Sequence, residues 1–478
     1  MISNDFIALL SLIVMASASV GVMLGIAASR SHGFTASLAL FSIYLAILSL
    51  VIAYSEVPRQ VTPLIVIDKF AILYMALILL SGAAVIILSF GYLSKHYVAC
   101  EEYYLLLLLA MLGSMVLVCS SHFASFFLGL ELLSISLYAL IAYPKSRIKH
   151  VEAGMKYLVL AAVSSAFLLF GMALIYADSG AMTLSVIASK ASHDAGYTLP
   201  FIAGLTLMIV GIGFKLALVP FHMWTPDVYE GAPAPVAAFI ATVSKGAVFA
   251  ILLRYFTQTD FLKSDSLFLV FAFISFVSMI AGNILALFQN NIKRVLAYSS
   301  IAHMGYLLVA FLSGGAFSAQ VVTFYLVTYF VTTFGAFGVI TLMSDNERDA
   351  DDIDDYRGMS SRRPFLAAVF TAMLFSLAGI PLTAGFIGKF YLVTAGASSG
   401  LWVLVVTLAL SSVIGLFYYL RIIFSLYARP VPEQSSPMRR ISLAGGMLLA
   451  VLLMLLLWIG VYPAPLMDGI RLMIGVGG

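Results

Sequence analysis

Five ionisable residues within or beside apolar stretches are the ones in this sequence that could do chemistry. Glu131, Lys245 and His303 each lie near the middle of an apolar run, while Lys215 and Lys389 lie beside interruptions of two other runs. An apolar setting disfavours the charged form of such groups, and a neighbouring opposite charge restores it. A lone carboxylate within an apolar run is costly unless it is protonated or paired, and a buried lysine is its natural partner. The residue types therefore predict a proton relay.

Other ionisable residues accompany these five. His222 lies within the first interruption and is an accessory candidate for the relay. Glu152 and Lys156 are four residues apart, in the favourable order for an ion pair on one helix face. Both a plain ion pair at the membrane interface and an accessory role in transport are open for them. Arg254 and Arg421 lie close to the ends of apolar runs, so we expect their long side chains to reach the interface and to be structural.

Clusters of helix-breaking residues produce the two interruptions. The first lies between Gly211 and Lys245 and contains Pro220, Pro226, Pro233 and Pro235. The second contains Gly379, Pro381, Gly385 and Gly388. No continuous helix survives that density of proline, and irregular backbone at membrane depth is tolerated only where it is buried in protein or lines a watery cavity. The sequence therefore predicts two broken helices, each accompanied by a buried lysine.

The composition is that of an integral membrane protein. Hydrophobic residues make up 62% of the chain and charged residues 10%, and the mean hydropathy is +1.08. A net charge of +3 gives no reason to expect nucleic acid as a partner. The two cysteines exclude a disulfide framework, the histidines lack paired metal-ligand spacing, and no glycine-rich phosphate motif follows a strand. The chain is therefore expected to bind no metal or cofactor itself. Its first residues lack a basic region and predict a retained membrane span.

The apolar runs predict an all-α polytopic membrane protein with about fourteen transmembrane helices. The broken helices are spans seven and twelve, and the odd offset between them gives them opposite directions through the membrane. An inverted repeat of five helices requires this, and matching broken helices in two halves indicate a transport site. The predicted divisions are residues 1–102 with helices 1–3, 103–257 with the first repeat, 258–428 with the second, and 429–478 with the last helix.

The lysines and arginines of the loops predict the orientation. Fourteen lie in one set of loops: Arg30, Lys95, Lys145, Arg147, Lys149, Lys293, Arg294, Arg348, Arg357, Arg362, Arg363, Arg429, Arg439 and Arg440. Five lie in the opposite set: Arg59, Lys69, Lys190, Lys263 and Arg471. Because cytoplasmic loops carry the excess of basic residues, the larger set is cytoplasmic and both termini face outward. The acidic cluster from Asp345 to Asp355 is interpreted as a solvated cytoplasmic loop.

Three sequence blocks resemble a known family. They are Val-Pro-Phe-His-Met-Trp-Thr-Pro-Asp-Val-Tyr-Glu-Gly-Ala-Pro around His222, Asn-Ile-Lys-Arg-Val-Leu-Ala-Tyr-Ser-Ser-Ile-Ala-His-Met-Gly-Tyr ending at Tyr306, and Ser-Leu-Ala-Gly-Ile-Pro-Leu-Thr-Ala-Gly-Phe-Ile-Gly-Lys-Phe around Lys389. Together they resemble the antiporter-like membrane subunits of respiratory complex I over nearly the whole chain. That family also includes the large subunits of multisubunit cation/proton antiporters. The length is too short for the member with a long C-terminal lateral helix, and Lys389 stands where another member has glutamate. The resemblance therefore favours the remaining complex I member in its bacterial form.

The resemblance implies a role for each candidate residue. Glu131 and Lys215 would form the ion pair of a cytoplasmic half-channel, Lys245 and His303 the central relay, and Lys389 the outer gate. The subunit would move protons from cytoplasm to periplasm across the bacterial inner membrane. Partner membrane and peripheral subunits would hold NADH, FMN, iron–sulfur clusters and quinone. Two alternatives are a subunit of a multisubunit cation/proton antiporter and a membrane scaffold whose buried charges only specify packing.

Overall fold

The structure is a computed structural model that describes residues 3–96, 100–143, 147–187, 198–257, 265–345, 348–429 and 442–474. Five basic residues used for the orientation, Lys145, Lys190, Lys263, Arg439 and Arg440, lie outside the described residues.

Helices account for nearly all of the described chain, as the apolar runs predict. The α-helices are α1 (Ser3–Ala8), α2 (Leu10–Ala28), α3 (His32–Ala53), α4 (Lys69–His96), α5 (Glu101–Val118), α6 (Phe123–Ile141), α7 (Ile148–Ser179), α8 (Leu199–Leu216), α9 (Trp224–Gly231), α10 (Ala234–Phe239), α11 (Lys245–Thr257), α12 (Asp265–Leu287), α13 (Ile292–Ser313), α14 (Gly315–Met343), α15 (Met359–Arg362), α16 (Pro364–Ala378), α17 (Ala384–Ser398), α18 (Trp402–Tyr427), α19 (Leu443–Val461) and α20 (Ala464–Ile474). Short 3₁₀ turns occupy Tyr54–Glu56 and Ile353–Tyr356. Strands β1 (Arg59–Thr62) and β2 (Ile65–Ile67) form an antiparallel hairpin in which Arg59 pairs with Ile67.

The membrane spans of the described residues follow one another in the predicted order. Within the described residues, 13 helices are long and apolar enough to cross a membrane. The remaining span is the interrupted one formed by α16 and α17, of which α16 is a shorter apolar helix. The predicted class, an all-α polytopic membrane protein with two broken helices, is therefore confirmed.

The first broken span is α8, which ends at Leu216. Ala217 adopts a left-handed conformation with φ 59°, and the Leu218 N–H donates to the Gly213 carbonyl at 2.8 Å. This bonding pattern closes a helix whose next residues cannot continue it, because Pro220 lacks a backbone donor. The chain resumes helical structure at Trp224, in the short helix α9. The proline cluster therefore breaks the helix where the sequence predicts.

The second broken span ends its first half in the same way. Gly379 has φ 86°, and the Ile380 N–H donates to the Phe375 carbonyl at 3.0 Å. The next helix, α17, begins at Ala384. Gly385 and Gly388 were predicted to interrupt this span, and the structure corrects that prediction because both lie inside α17. Their role is close packing, since a Cβ atom at Gly385 would overlap the Ser376 carbonyl oxygen.

Span eight contains an irregularity that the sequence did not predict. Helix α10 passes into a π-helical turn at Ile240–Ser244, and α11 begins directly afterwards at Lys245. The apolar window of this span, within Ala234–Phe256, is entirely buried inside the protein. A π turn inserts one extra residue into the helix and occurs frequently at functional sites.

The chain divides into two compact units. The first comprises residues 1–86, 98–224 and 243–270, and the second comprises residues 87–97, 225–242 and 271–478. Glu131, Lys215 and Lys245 belong to the first unit, and His303 and Lys389 belong to the second. The division into two five-helix repeats with flanking helices stays a prediction.

Candidate proton-transfer site

Lys215 is buried at the end of a broken helix. It lies in the last turn of α8 and is only 3% exposed. Its Nζ donates to Ser134 Oγ at 2.7 Å and lies 5.6 Å from the centre of the Tyr157 ring. The carbonyls at a helix C-terminus favour a positive charge, and an aromatic face adds a second favourable contact. The break therefore places an ammonium group where dipoles, rather than water, surround it.

Glu131 and Lys215 each bind a different serine hydroxyl and do not form a direct ion pair. Glu131 Oε1 accepts a hydrogen bond from Ser165 Oγ at 2.5 Å. Ser134, which accepts from Lys215, lies three residues after Glu131 on α6 and so on nearly the same face. Among the described residues, no carboxylate lies within ion-pairing distance of Lys215. The Ser134 hydroxyl in turn donates to the Leu130 carbonyl at 2.6 Å, one turn back on α6.

Aromatic side chains close the space around Lys215. The rings of Tyr157 and Trp224 lie 4.9 Å apart, and the rings of Phe214 and Trp224 lie 5.3 Å apart. The Trp224 indole N–H donates to the Phe214 carbonyl at 3.0 Å, and the same carbonyl also accepts from the Ala217 N–H at 2.9 Å. Trp224 therefore stabilises the broken end of α8 and packs against the two rings, Tyr157 and Phe214, that lie beside the Lys215 amine.

Lys245 lies at the π turn of span eight. It is the first residue of α11 and is 1% exposed. Helix α11 packs against α5 and α8, so the helices that carry Lys215 and Lys245 are in contact within the first unit. The Thr242 hydroxyl, inside the π turn, donates to the Ala238 carbonyl at 2.6 Å. The irregular turn therefore immediately precedes the candidate lysine.

His222 lies in the loop between α8 and α9. Its side chain is buried, and within the described chain no hydrogen bond of standard geometry reaches either ring nitrogen. The structure therefore places this imidazole next to the break, as predicted.

Three tyrosines surround His303 in the second unit. Its Nδ1 lies 2.6 Å from the hydroxyl of Tyr325, with the two rings stacked. Tyr329 and Tyr306 approach to 5.3 and 5.4 Å between ring centres. The Tyr329 hydroxyl in turn donates to Ser300 Oγ at 2.8 Å. The sequence analysis identified His303 but not these hydroxyl partners, although Tyr306 follows it by one helical turn.

The amine of Lys389 donates hydrogen bonds to backbone carbonyls rather than to a carboxylate. Its Nζ donates to the carbonyls of Leu377 and Ala378, both at 2.9 Å, and to Ser412 Oγ at 2.7 Å. These carbonyls belong to the last turn of α16, where the break at Gly379 removes their helical partners. The three N–H groups of an ammonium ion all have acceptors in this arrangement. The second break therefore forms the site that holds Lys389.

Glu152 and Lys156 form the predicted ion pair, 2.8 Å apart. Their side chains are 57% and 45% exposed on α7, so the structure does not bring them into the buried site. Exposed pairs of this kind contribute little to stability. An accessory role for them stays a prediction.

Arg254 and Arg421 bind partners at the ends of neighbouring spans. Arg254 is buried and forms two 2.8 Å hydrogen bonds with the carboxylate of Asp68, which precedes α4. Arg421 is partly buried and donates to the carbonyls of Leu287 and Gln289 at the end of α12. Partners within the protein bind both guanidinium groups, as expected for structural residues, and their reach to the membrane interface stays a prediction.

A buried ion pair joins Lys293 to Asp349, and the sequence analysis missed it. Lys293 Nζ lies 2.7 Å from Asp349 Oδ2 and 3.0 Å from the Ala232 carbonyl oxygen. The Tyr92 hydroxyl donates to Asp349 Oδ1 at 2.8 Å. The side chains of the pair are 1% and 4% exposed. Lys293 was assigned to a loop and Asp349 to a solvated acidic cluster, and both assignments are corrected because each charge satisfies the other.

Removing one partner of this pair should destabilise the protein strongly. Asp349→Asn leaves the buried ammonium of Lys293 without its counter-charge, which we expect to cost about 3–5 kcal/mol. Thermal unfolding of the purified protein in mild detergent measures the effect. Asp468→Asn is the matched control, because the Asp468–Arg471 pair is exposed and should contribute at most about 1 kcal/mol. Equal stability losses in the two variants would contradict a structural role for the buried pair.

Comparisons with known proteins are consistent with this arrangement. The family described as "NADH:quinone oxidoreductase/Mrp antiporter, TM" matches residues 120–415, a range that includes every candidate relay residue. The chain is 49% identical over 475 residues to the NADH-quinone oxidoreductase subunit N of Ectopseudomonas mendocina (strain ymp), covering 98% of this chain and 96% of that relative.

Solved structures share the fold over almost the full length. A chain of respiratory complex I from Thermus thermophilus with bound aureothin superposes with a TM-score of 0.83 at 33% identity, over 96% of this chain and 98% of that one. A chain of the archaeal membrane-bound sulfane sulfur reductase superposes with a TM-score of 0.86 at 25% identity, over 97% of this chain and 96% of that one. A chain of the Mrp complex from Dietzia sp. DQ12-45-1b superposes with a TM-score of 0.87 at 20% identity, over 99% of this chain and 97% of that one. At this identity the likeness shows only that the two chains share a fold. The chain belongs to the NADH:quinone oxidoreductase/Mrp antiporter family of transmembrane proteins.

Proposed function

We propose that this chain is the N subunit of an NADH–quinone oxidoreductase and moves protons from the cytoplasm to the periplasm. The observation that carries the proposal is the burial of Lys215, Lys245 and Lys389 at irregularities of otherwise continuous membrane helices. Burying an ionisable amine within a membrane span is costly, so a scaffold would not be expected to repeat it at three such places. The 49% identity to a relative named subunit N supports the assignment to that complex.

The proposed route follows the place of each residue along its own span. Lys215, near the cytoplasmic end of span seven in the proposed orientation, takes up the proton beside Ser134 and Glu131. Lys245 and His303, each near the middle of a span, carry it onward. Lys389, in the outer half of span twelve, releases it. Movement of Glu131 away from Lys215 would favour release of the proton to the next site, because the charged lysine then loses a stabilising carboxylate.

The energy for this movement comes from other subunits. NADH, FMN, iron–sulfur clusters and quinone bind in partner subunits, and this chain contributes no redox chemistry. Contacts with the neighbouring membrane and peripheral subunits transmit the energy. The chain is a multi-pass protein of the bacterial inner membrane with both termini in the periplasm.

A cation/proton antiporter subunit is the second candidate. The fold is shared with a chain of an Mrp complex, but at only 20% identity. Purification in mild detergent separates the two candidates. Co-purification with FMN and iron–sulfur proteins supports the oxidoreductase, whereas a complex without them would overturn that assignment in favour of the antiporter.

Loss of the Glu131 charge should lower proton pumping. Glu131→Gln keeps the shape and the contact with Ser165 but removes the carboxylate that modulates Lys215. We expect the rate of proton pumping to fall several-fold, which is less than the roughly 10²-fold that a positioned acid–base group can contribute. Glu131→Asp keeps the carboxylate and should have a milder effect. Fluorescence quenching of a pH-sensitive dye in inverted vesicles measures pumping, with the amount of assembled complex as the control. Unchanged pumping in assembled Glu131→Gln complex would remove Glu131 from the relay.

Cysteine labelling tests the proposed orientation. A cysteine introduced at Asp468, an exposed residue of α20, should react with an impermeant maleimide added to the periplasmic side. A cysteine at Ser361, exposed in α15, should react only from the cytoplasmic side. The native Cys100 and Cys119 are buried and give little background. The reverse pattern of labelling would show that the orientation is inverted.

A further inference from the structure

Tyr306 contacts two members of the proposed relay at once. It lies on α13, three residues after His303, and its side chain is buried. Lys389 Nζ lies over the Tyr306 ring, 5.3 Å from its centre. The ring of His303 meets it edge-on, with centres 5.4 Å apart and planes at 75°. One aromatic ring is therefore adjacent to both the central histidine and the outer lysine.

A buried polar network fixes the orientation of this ring. Asn283 Nδ2 donates to the Tyr306 hydroxyl at 2.9 Å, and Ser411 Oγ donates to it at 3.3 Å. Asn283 is held in turn by the Met279 carbonyl at 2.8 Å and by the Tyr418 hydroxyl at 3.0 Å. These partners come from α12 and α18, so three helices determine where the ring lies. A network of this kind, with its polar groups satisfied, makes the position rigid.

The ring face distinguishes the two protonation states of the lysine. The negative face of an aromatic ring attracts an ammonium ion, whereas a neutral amine gains almost nothing from it. Within the described residues, the remaining contacts of Lys389 Nζ are the uncharged oxygens of Leu377, Ala378 and Ser412. Because no carboxylate is among these contacts, the ring face adds to the helix-end carbonyls in favouring the charged form of the amine.

We propose that Tyr306 is a positioning residue of the outer gate, whose π face, held by Asn283, stabilises the protonated state of Lys389 beside His303. This rests on the proposed function and assigns the gate an aromatic component. The hydroxyl of Tyr306 serves only to orient the ring. The ring, and not the hydroxyl, is therefore what proton transfer requires.

Progressive fluorination of the ring tests this role. Phenylalanine at position 306 gives the starting variant, and mono-, tri- and pentafluorophenylalanine then weaken the π face with little change in shape. Proton pumping in reconstituted complex, normalised to NADH oxidation by an artificial acceptor, should fall at each step, by about tenfold over the series. The matched control is Phe390, next to Lys389 in sequence but 57% exposed. The same series at Phe390 should leave pumping unchanged.

The outcomes separate this inference from the proposed function. Lys389→Ala is measured in the same preparation. If Lys389→Ala loses pumping while the fluorinated series at position 306 is flat, the relay stands and the role of Tyr306 is overturned. If Lys389→Ala pumps normally in assembled complex, the proposed function fails and the role of Tyr306 falls with it. A graded loss at position 306 but not at position 390 supports the proposal.

Discussion

Lys215→Ala should abolish most proton pumping by the assembled complex. The variant removes a buried amine that donates to Ser134 Oγ and lies beside the Tyr157 ring. Because one positioned acid–base group contributes on the order of 10²–10⁴-fold in rate, we expect a decrease of at least about tenfold. Dye quenching in inverted vesicles, normalised to the amount of complex, measures it.

Two variants make this result specific. Lys69→Ala, at the exposed start of α4, removes the same charge from the surface and should leave pumping near the parental rate. Ser134→Ala removes the hydroxyl that accepts from Lys215 and should cause an intermediate loss. If Lys215→Ala and Lys69→Ala pump equally well, the buried amine has only a structural role.

Lys389→Arg should lose proton pumping nearly as completely as Lys389→Ala. Arginine keeps the positive charge at the end of α16 and can still donate to the carbonyls of Leu377 and Ala378. It cannot release a proton at accessible pH. If proton exchange is the requirement, charge alone will not restore pumping. The measurement is the same vesicle assay, with the rate of each variant compared at equal complex content.

The size of arginine requires a separate check. Gly379 lies against Lys389, so a larger head group could displace the helix end. Normal thermal stability together with lost pumping would assign the defect to proton exchange. Full pumping by Lys389→Arg would show instead that the residue acts as a fixed charge, and would remove it from the relay.

The positions of the breaks could be predicted because proline and glycine act locally. Pro220 ends α8 and Gly379 ends α16, and neither effect depends on distant residues. The spans were predictable for the same reason, since about 20 apolar residues are needed to cross the hydrocarbon core wherever they occur. The burial of Lys215, Lys245 and Lys389 followed, because each lies within or beside an apolar run.

The partners of these lysines could not be predicted, because they come from distant parts of the chain. Lys215 was expected to meet Glu131 directly, but Ser134 occupies that contact. Lys389 was expected to be buried, but its acceptors are backbone carbonyls, which every residue carries and no residue type signals. The π turn before Lys245 likewise has no marker in the sequence. Serine hydroxyls and unpaired carbonyls therefore make up the part of the site that only the fold shows.

The two broken spans end their first halves in the same way, although different residues do so. Each first half ends in a left-handed residue that leaves carbonyls available at the helix terminus, supplied by Ala217 in α8 and by Gly379 in α16. At the first break, Trp224 takes one of these carbonyls and Lys215 lies in the same turn. At the second break, Lys389 takes two of them. Helix interruption therefore supplies acceptors for the buried amine of Lys389 at the second break, whereas at the first break Trp224 uses the carbonyl and Lys215 donates to Ser134.

The account is tested most directly by three rates measured on one reconstituted preparation of the Lys215→Ala complex. They are NADH oxidation by an artificial acceptor at the peripheral arm, NADH–quinone turnover, and formation of the proton gradient. We expect near-normal NADH oxidation by the artificial acceptor, with reduced NADH–quinone turnover and a reduced proton gradient. The reason is that a coupled pump cannot complete its redox cycle when an obligatory proton step stalls. A parental proton gradient and quinone turnover in fully assembled complex would contradict it.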